Sequence, residues 1–180
     1  IGLMVRFNED PSKSFERLRA FGLRHCQLAA PPDEYLYGAE GRRNTRNLIS
    51  AMDEYGISAT SLFISFPNQS FADMNSIGLV PASTRAQRIA RACRSADWAR
   101  EMQITQIASH VGCIPEDAED SNYPGFVDAM RGLCLLLEAN GQVLAYETGP
   151  DSVKTMSRTI RDVGVENQRI NFDPANLLIY

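Results

Sequence analysis

The chain has 180 residues, 44% hydrophobic and 22% charged, which suits one folded domain and excludes a disordered polymer. Its 22 acidic residues outnumber 18 basic ones, giving a formal net charge of −4 and no electrostatic footing for nucleic acid or an anionic membrane. No apolar run approaches the roughly 20 residues of a membrane span, and the four cysteines, Cys26, Cys93, Cys113 and Cys134, are too dispersed for a CxxC pair and read as reduced small hydrophobes in a cytoplasmic protein. In chain order, Leu3–Phe7 reads as a short strand, followed by Asp10-Pro11 as N-cap and first-turn proline of a helix striped by Phe15, Leu18 and Phe21 and closed by Gly22. Arg24–Leu28 is a second strand. Past Pro31-Pro32 comes a helix carrying Leu48, Met52 and Tyr55, ended by Gly56. Ile57–Phe63, rich in β-branched and aromatic residues, is a third strand.

A connection of unusual length, residues 64–82, follows. Phe63, Phe66, Phe71, Ile77 and Leu79 give it an apolar body suited to a lid, a subunit contact or a satellite core. Ser83–Met102 reads as a helix, Ile104–His110 as a fourth strand, and Pro124–Asn140 as a helix before Gly141. Gln142–Glu147 is a fifth strand, Pro150–Val163 a helix before Gly164, and Arg169–Asp173 a sixth strand. Six strands alternating with helical crossovers predict an α/β fold with a parallel sheet. Strands covered on both faces of an open doubly wound sheet are nearly all apolar. Here Gln106, Ala108 and His110 alternate with Thr105, Ile107 and Ser109, and Arg169, Asn171 and Asp173 with Ile170 and Phe172. That alternation favours a parallel (β/α)8 TIM barrel with a partly polar interior. The chain, a single domain over residues 1–180, supplies roughly the first six βα units of the eight such a barrel needs. It opens at Ile1 and stops in the apolar run Asn176–Tyr180, so the domain reads as incomplete at its C-terminus.

In such barrels chemistry gathers where strands end. His110 ends strand four, Glu147 strand five and Asp173 strand six. Side chains at the tips of neighbouring strands stand roughly 5 Å apart, so Glu147 and Asp173 are placed to share a divalent cation or to work as an acid–base pair. Each also has a plainer reading: Asp173 as a loop or helix cap, Glu147 as a cap in competition with Asp151 and Ser152, His110 as a satisfied interior histidine. Arg6 stands on strand one, either to meet a substrate oxygen or to neutralise the two acids. With two histidines in all, a His-rich zinc site has little to draw on. Dinucleotide-binding, Walker and HExxH motifs are absent.

Ser109-His110-Val111-Gly112, Glu147-Thr148-Gly149 and Asn171-Phe172-Asp173-Pro174-Ala175-Asn176, each at a strand end, together with Arg6-Phe7-Asn8 and Ile77-Gly78-Leu79-Val80-Pro81, make the sequence resemble the sugar phosphate isomerase/epimerase superfamily, the xylose isomerase-like TIM barrels. The resemblance implies one divalent metal ion (Mn, Mg or Zn), held by Glu147 and Asp173 and completed by a histidine of strand seven and a glutamate of strand eight, both beyond Tyr180. It implies Glu147 as catalytic base, with His110 and Asn176 as substrate-binding residues beside Arg6, which its place on strand one puts in reach of a substrate oxygen. Many epimerases carry histidine where this chain has Asn176, which cannot change charge near neutral pH. The implied reaction is isomerisation or epimerisation of a sugar or sugar phosphate through an enediolate, in the full-length parent. Residues 1–180 alone are expected to hold the metal weakly and to turn over little. A small carbohydrate is the implied partner, and related barrels often dimerise. Rival readings are a non-catalytic barrel that binds small molecules or acts as a scaffold, an endonuclease IV-like metal phosphodiesterase, which the acidic balance and scarce histidine disfavour, and an open α/β domain with a ligand crevice.

Overall fold

The computed structural model describes residues 3–7, 10–70 and 73–179. Its elements are β1 (Leu3–Val5), α1 (Pro11–Ala20), β2 (His25–Ala29), α2 (Asp33–Leu36), α3 (Gly38–Tyr55), β3 (Ser58–Ile64), α4 (Ala82–Glu101), β4 (Gln106–Ser109), α5 (Tyr123–Ala139), β5 (Val143–Glu147), α6 (Val153–Val163), β6 (Gln168–Asn171) and α7 (Asn176–Ile179). Several local signals act as read. The Asp10 carboxylate accepts from Ser12 N–H at 3.0 Å ahead of Pro11, and Ser152 caps α6 by accepting from Thr155 N–H at 3.1 Å. Gly22, Gly56, Gly141 and Gly164 all take positive φ at helix ends. The region after Pro32 differs from expectation: it holds two helices, because Tyr37 is extended and interrupts the hydrogen bonding between Leu36 and Gly38.

The six strands pair in the order β1-β2-β3-β4-β5-β6, every pair parallel. This order separates the two sheet architectures. A doubly wound sheet reverses its strand order to place helices on both faces. A sheet that advances one strand at a time through right-handed crossovers puts every helix on one side. The chain is therefore a six-stranded arc of the kind found in (β/α)8 barrels, and the expectation of eight strands is met to the extent of six.

Strand alternation sorts side chains between the two faces of the arc. Val5, Leu28, Leu62, Ile107, Leu144 and Tyr146 pack with Phe15, Leu18, Ala96, Phe126, Met130 and Leu137 of the helices into one continuous core. The opposite face carries Met4, Gln27, Phe63, Ala108, His110, Ala145, Glu147 and Asn171.

The long connection after β3 is core rather than lid. Phe66, Ile77, Leu79 and Val80 are buried, whereas Phe71 lies outside the described residues. Gly78 explains how the connection seats. At φ +71° its missing Cβ would fall 2.1 Å from the Val111 carbonyl carbon, and Gly112, at φ +110°, would collide with the Ile77 oxygen at 2.5 Å. Backbone thus meets backbone, and Leu79 and Val80 N–H both donate to the Val111 carbonyl, at 2.6 and 3.2 Å. The buried Arg88 guanidinium donates to the Ser76 and Gly78 carbonyls, at 2.8 and 2.7 Å, and stacks on Phe66. No described helix is long and apolar enough to cross a membrane.

Candidate functional site

At the C-terminal ends of the strands, Met4, Gln27, Phe63, His110, Glu147, Asn171, Phe172, Asp173, Pro174 and Asn176 line an open cleft of about 420 Å³. Four of the five residues singled out by sequence meet there: Glu147, Asp173, His110 and Asn176. Arg6 is not among the described residues that line it. β1 ends at Val5, which leaves Arg6 exposed on the rim beyond the strand, while Met4 supplies β1's contribution to the cleft.

Glu147 is 6% exposed and its two oxygens are separately held. Asn171, opposite it in the β5–β6 register, donates its side-chain amide to Oε2. Asn176 donates to Oε1 at 3.3 Å and to the Thr148 carbonyl at 2.9 Å. Burial raises the Glu147 pKa above the usual carboxylate range. The Asn171 amide pulls the other way, and the neighbouring Asp173 pushes it up further. The two acids therefore sense one another, as their places on adjacent strand ends require.

Asp173 lies two residues past the end of β6, in a loop rather than in the strand, because regular pairing stops at Asn171. Thr148 fixes that loop. Its hydroxyl accepts from Asp173 N–H at 2.7 Å and donates to the Asp173 carbonyl at 3.0 Å. One Asp173 carboxylate oxygen accepts from Ala175 N–H at 2.8 Å, so the plainer reading as a loop acceptor and the cleft-facing one hold together.

His110 follows β4 directly and is half-buried. Its ring stands edge-on to Phe63 with centroids 6.0 Å apart, and Asn176 Nδ2 lies 3.5 Å from Nε2. On the other side it packs on Gly149, where a Cβ would lie 3.3 Å from the imidazole Cε1. Burial lowers its pKa, partly offset by the charge of Asp173, so the imidazole is neutral at neutral pH.

Sequence reasoning passed over Thr148 and Asn171. Both stood inside the motifs it quoted, and the signal for Asn171 was its placement on the same face of the neighbouring strand as Glu147. A larger hollow, about 700 Å³, opens between α2 and the start of α4. Its arginines are occupied: Arg88 with loop carbonyls, Arg91 with Asp33 at 2.5 Å and the Pro31 carbonyl at 3.1 Å, and Arg94 over the Tyr37 ring, 5.5 Å from its centroid.

Residues 15–180 match a family model described as the xylose isomerase-like TIM barrel. The chain belongs to that family. Among solved structures, this xylose isomerase-like chain is similar to a xylose isomerase domain protein from Planctomyces limnophilus, with 28% identity and a TM-score of 0.88 over 98% of this chain and 64% of that one. The chain thus spans just under two thirds of that relative's length. A xylose isomerase-like TIM barrel protein from Mycobacterium smegmatis in complex with magnesium gives 16% identity and a TM-score of 0.69, over 92% of this chain and 56% of that one. A D-psicose 3-epimerase from Clostridium cellulolyticum with D-tagatose gives 15% and 0.68, over 94% and 61%. At those identities the last two show the shared fold. A search of curated protein sequences finds no match.

The donor chemistry of the cleft bears on a divalent cation. Glu147 and Asp173 are two hard oxygen donors brought together where their charges repel, an arrangement a cation relieves. Among the described residues no group of three His, Cys, Asp or Glu side chains is arranged to hold a metal. The pair fits as two ligands of a larger set.

Proposed function

We propose that this chain carries the base and two metal ligands of a divalent-metal-dependent isomerase or epimerase acting on a sugar or sugar phosphate through an enediolate of the substrate. The observation that carries this reading is the convergence of Glu147 and Asp173, with His110 beside them, in one strand-end cleft of a xylose isomerase-like barrel. Glu147 and Asp173 would hold the cation, which when bound supplies Lewis-acid polarisation of a substrate carbonyl.

The chain's own residues perform the remaining work. Glu147 removes the proton from the carbon beside the carbonyl. Burial raises its pKa in the metal-free chain; a bound cation would offset that rise and keep the carboxylate ionised to accept the proton. Asn171 and Asn176 hold the carboxylate from two directions, so its orientation is set before substrate arrives. Neutral His110, edge-on to Phe63, offers a ring nitrogen to a substrate hydroxyl. Asn176 serves as a hydrogen-bonding group with a fixed charge state where a histidine would titrate. The Phe63 ring and Met4 give the cleft an apolar floor.

The test is metal binding, followed by equilibrium dialysis with Mn²⁺. E147Q and D173N should each weaken binding at least about tenfold, the scale of one lost charged ligand, with unchanged circular dichroism. Unchanged affinity in both folded variants removes the reading.

A further inference from the structure

The segment that follows β5 touches the segment that follows β4 at two points. The first is Gly149 beneath the His110 ring, where an added Cβ would lie 3.3 Å from Cε1 and press on the imidazole. The second is four residues beyond Glu147: Asp151 reaches across and its Oδ1 accepts from the backbone N–H of Ile114 at 2.8 Å. Ile114 is buried, 4% exposed, so its amide has exchanged water for this one carboxylate. Among the described residues, Cys113 and Glu116 of the β4–α5 segment interact electrostatically with Asp151, and neither is positively charged. α6 does not need Asp151 either, since Ser152 caps it.

The same segment is anchored elsewhere without Asp151. Val111 is held by Leu79 and Val80 N–H, and the Pro115 and Glu116 carbonyls by Arg158. Between those anchors lies the stretch from Gly112 to Ile114, next to His110, and Asp151 grips its end. Burial drives the Asp151 pKa up to about 6. The hydrogen bond to Ile114 N–H is thus made at a desolvation cost to the carboxylate.

The geometry points to Asp151 as a positioning residue that, through the Ile114 amide and together with Gly149, sets the His110 imidazole relative to Glu147. Both contacts arise from the polypeptide that bears Glu147, so base and imidazole are registered by one short stretch, residues 147–151. The assignment rests on the proposed role of His110 in the cleft, but its test needs neither metal nor substrate.

The chain has two histidines, His25 and His110, and an H110Q variant assigns their ring signals in an NMR spectrum of the metal-free protein. In D151A at pH 7.5 the His110 ring protons should shift, since their ring-current field comes from Phe63, while those of His25 stay. Ile114 amide protection should fall about tenfold, the scale of one hydrogen bond to a charged group. D151N keeps an acceptor oxygen in place and should restore both readouts. Should D151A fail to fold, D151S, too short to reach Ile114, is read in its place. An unmoved His110 signal in a folded D151A or D151S overturns the proposal, and so does a D151N protein that behaves like D151A. These readouts are independent of Mn²⁺ affinity, so loss of the metal-binding reading and loss of this one are told apart.

Discussion

The five residues of β5 are divided between two faces with opposite purposes. Leu144 and Tyr146 turn toward the helices and are shut into the core, Tyr146 with its hydroxyl donated to Gln168 Oε1 at 2.6 Å. Ala145 and Glu147 turn toward the inner face, where Ala145 lies beside Ala108 and Glu147 is held by two asparagine amides. The helix-facing side gains stability from apolar burial. The inner side gathers like charges and a half-buried imidazole, each of which costs folding free energy. Stability and chemistry are thus separated by a single peptide unit along one strand.

That contrast can be broken by substitution. The largest effect belongs to Leu144→Ala, which empties a 1% exposed site between strand and helices. It should lower unfolding free energy by about 2–5 kcal/mol, read from a urea midpoint, and leave Mn²⁺ affinity unchanged in the folded fraction. Tyr146→Phe keeps the packing but strands the buried Gln168 oxygen, for a smaller loss of about 1–3 kcal/mol. A Tyr146→Phe protein as stable as the parent would mean that Gln168 finds another donor.

On the inner face the sign reverses. Burial raises the folded-state Glu147 pKa above its unfolded value, so the unfolded chain holds fewer protons in the window between the two. Stability from this group is present at low pH and declines as pH climbs through that window. Glu147→Gln should therefore raise the urea midpoint of the metal-free protein at pH 7.5, while near pH 4 the two proteins converge. The same variant loses metal. A destabilising Glu147→Gln at neutral pH would show that the two amide contacts outweigh burial and the Asp173 charge.

Much of this arrangement was legible in the residues. Alternation in Gln106–His110 and Arg169–Asp173 separated a one-sided sheet from a doubly wound one, and the observed strand order agrees. Glu147, Asp173 and His110 stood out because ionisable groups at strand ends converge in any parallel barrel. Arg6 follows the end of β1 at Val5 and is not among the residues that line the cleft, and strand ends are the least defined part of a sequence reading. The polypeptide of residues 64–82 read equally as a lid, a subunit contact or a satellite core, because apolar residues in a long connection carry no information about what they pack against; burial of Phe66, Ile77, Leu79 and Val80 selects the last. The Gly78–Gly112 approach, which draws it into the core, joins residues 34 positions apart and leaves no local pattern. Thr148 escaped, and Asp151 read only as a cap candidate, for a similar reason, since their partners lie on other βα units.

Composition left one further question, why 16 of the 18 basic residues are arginine. Arg85 donates to the Leu79 and Val80 carbonyls, Arg88 to Ser76 and Gly78, and Arg158 to Pro115 and Glu116, all in the loops that follow β3 and β4. A planar fork reaches two carbonyls at once, which a lysine ammonium does with less geometric definition. Main-chain oxygens are common to all twenty amino acids. A rim hooked by its carbonyls can therefore exchange its side chains over evolutionary time without coming loose, and new specificities can be tried at the mouth of the barrel while the scaffold beneath it keeps its shape.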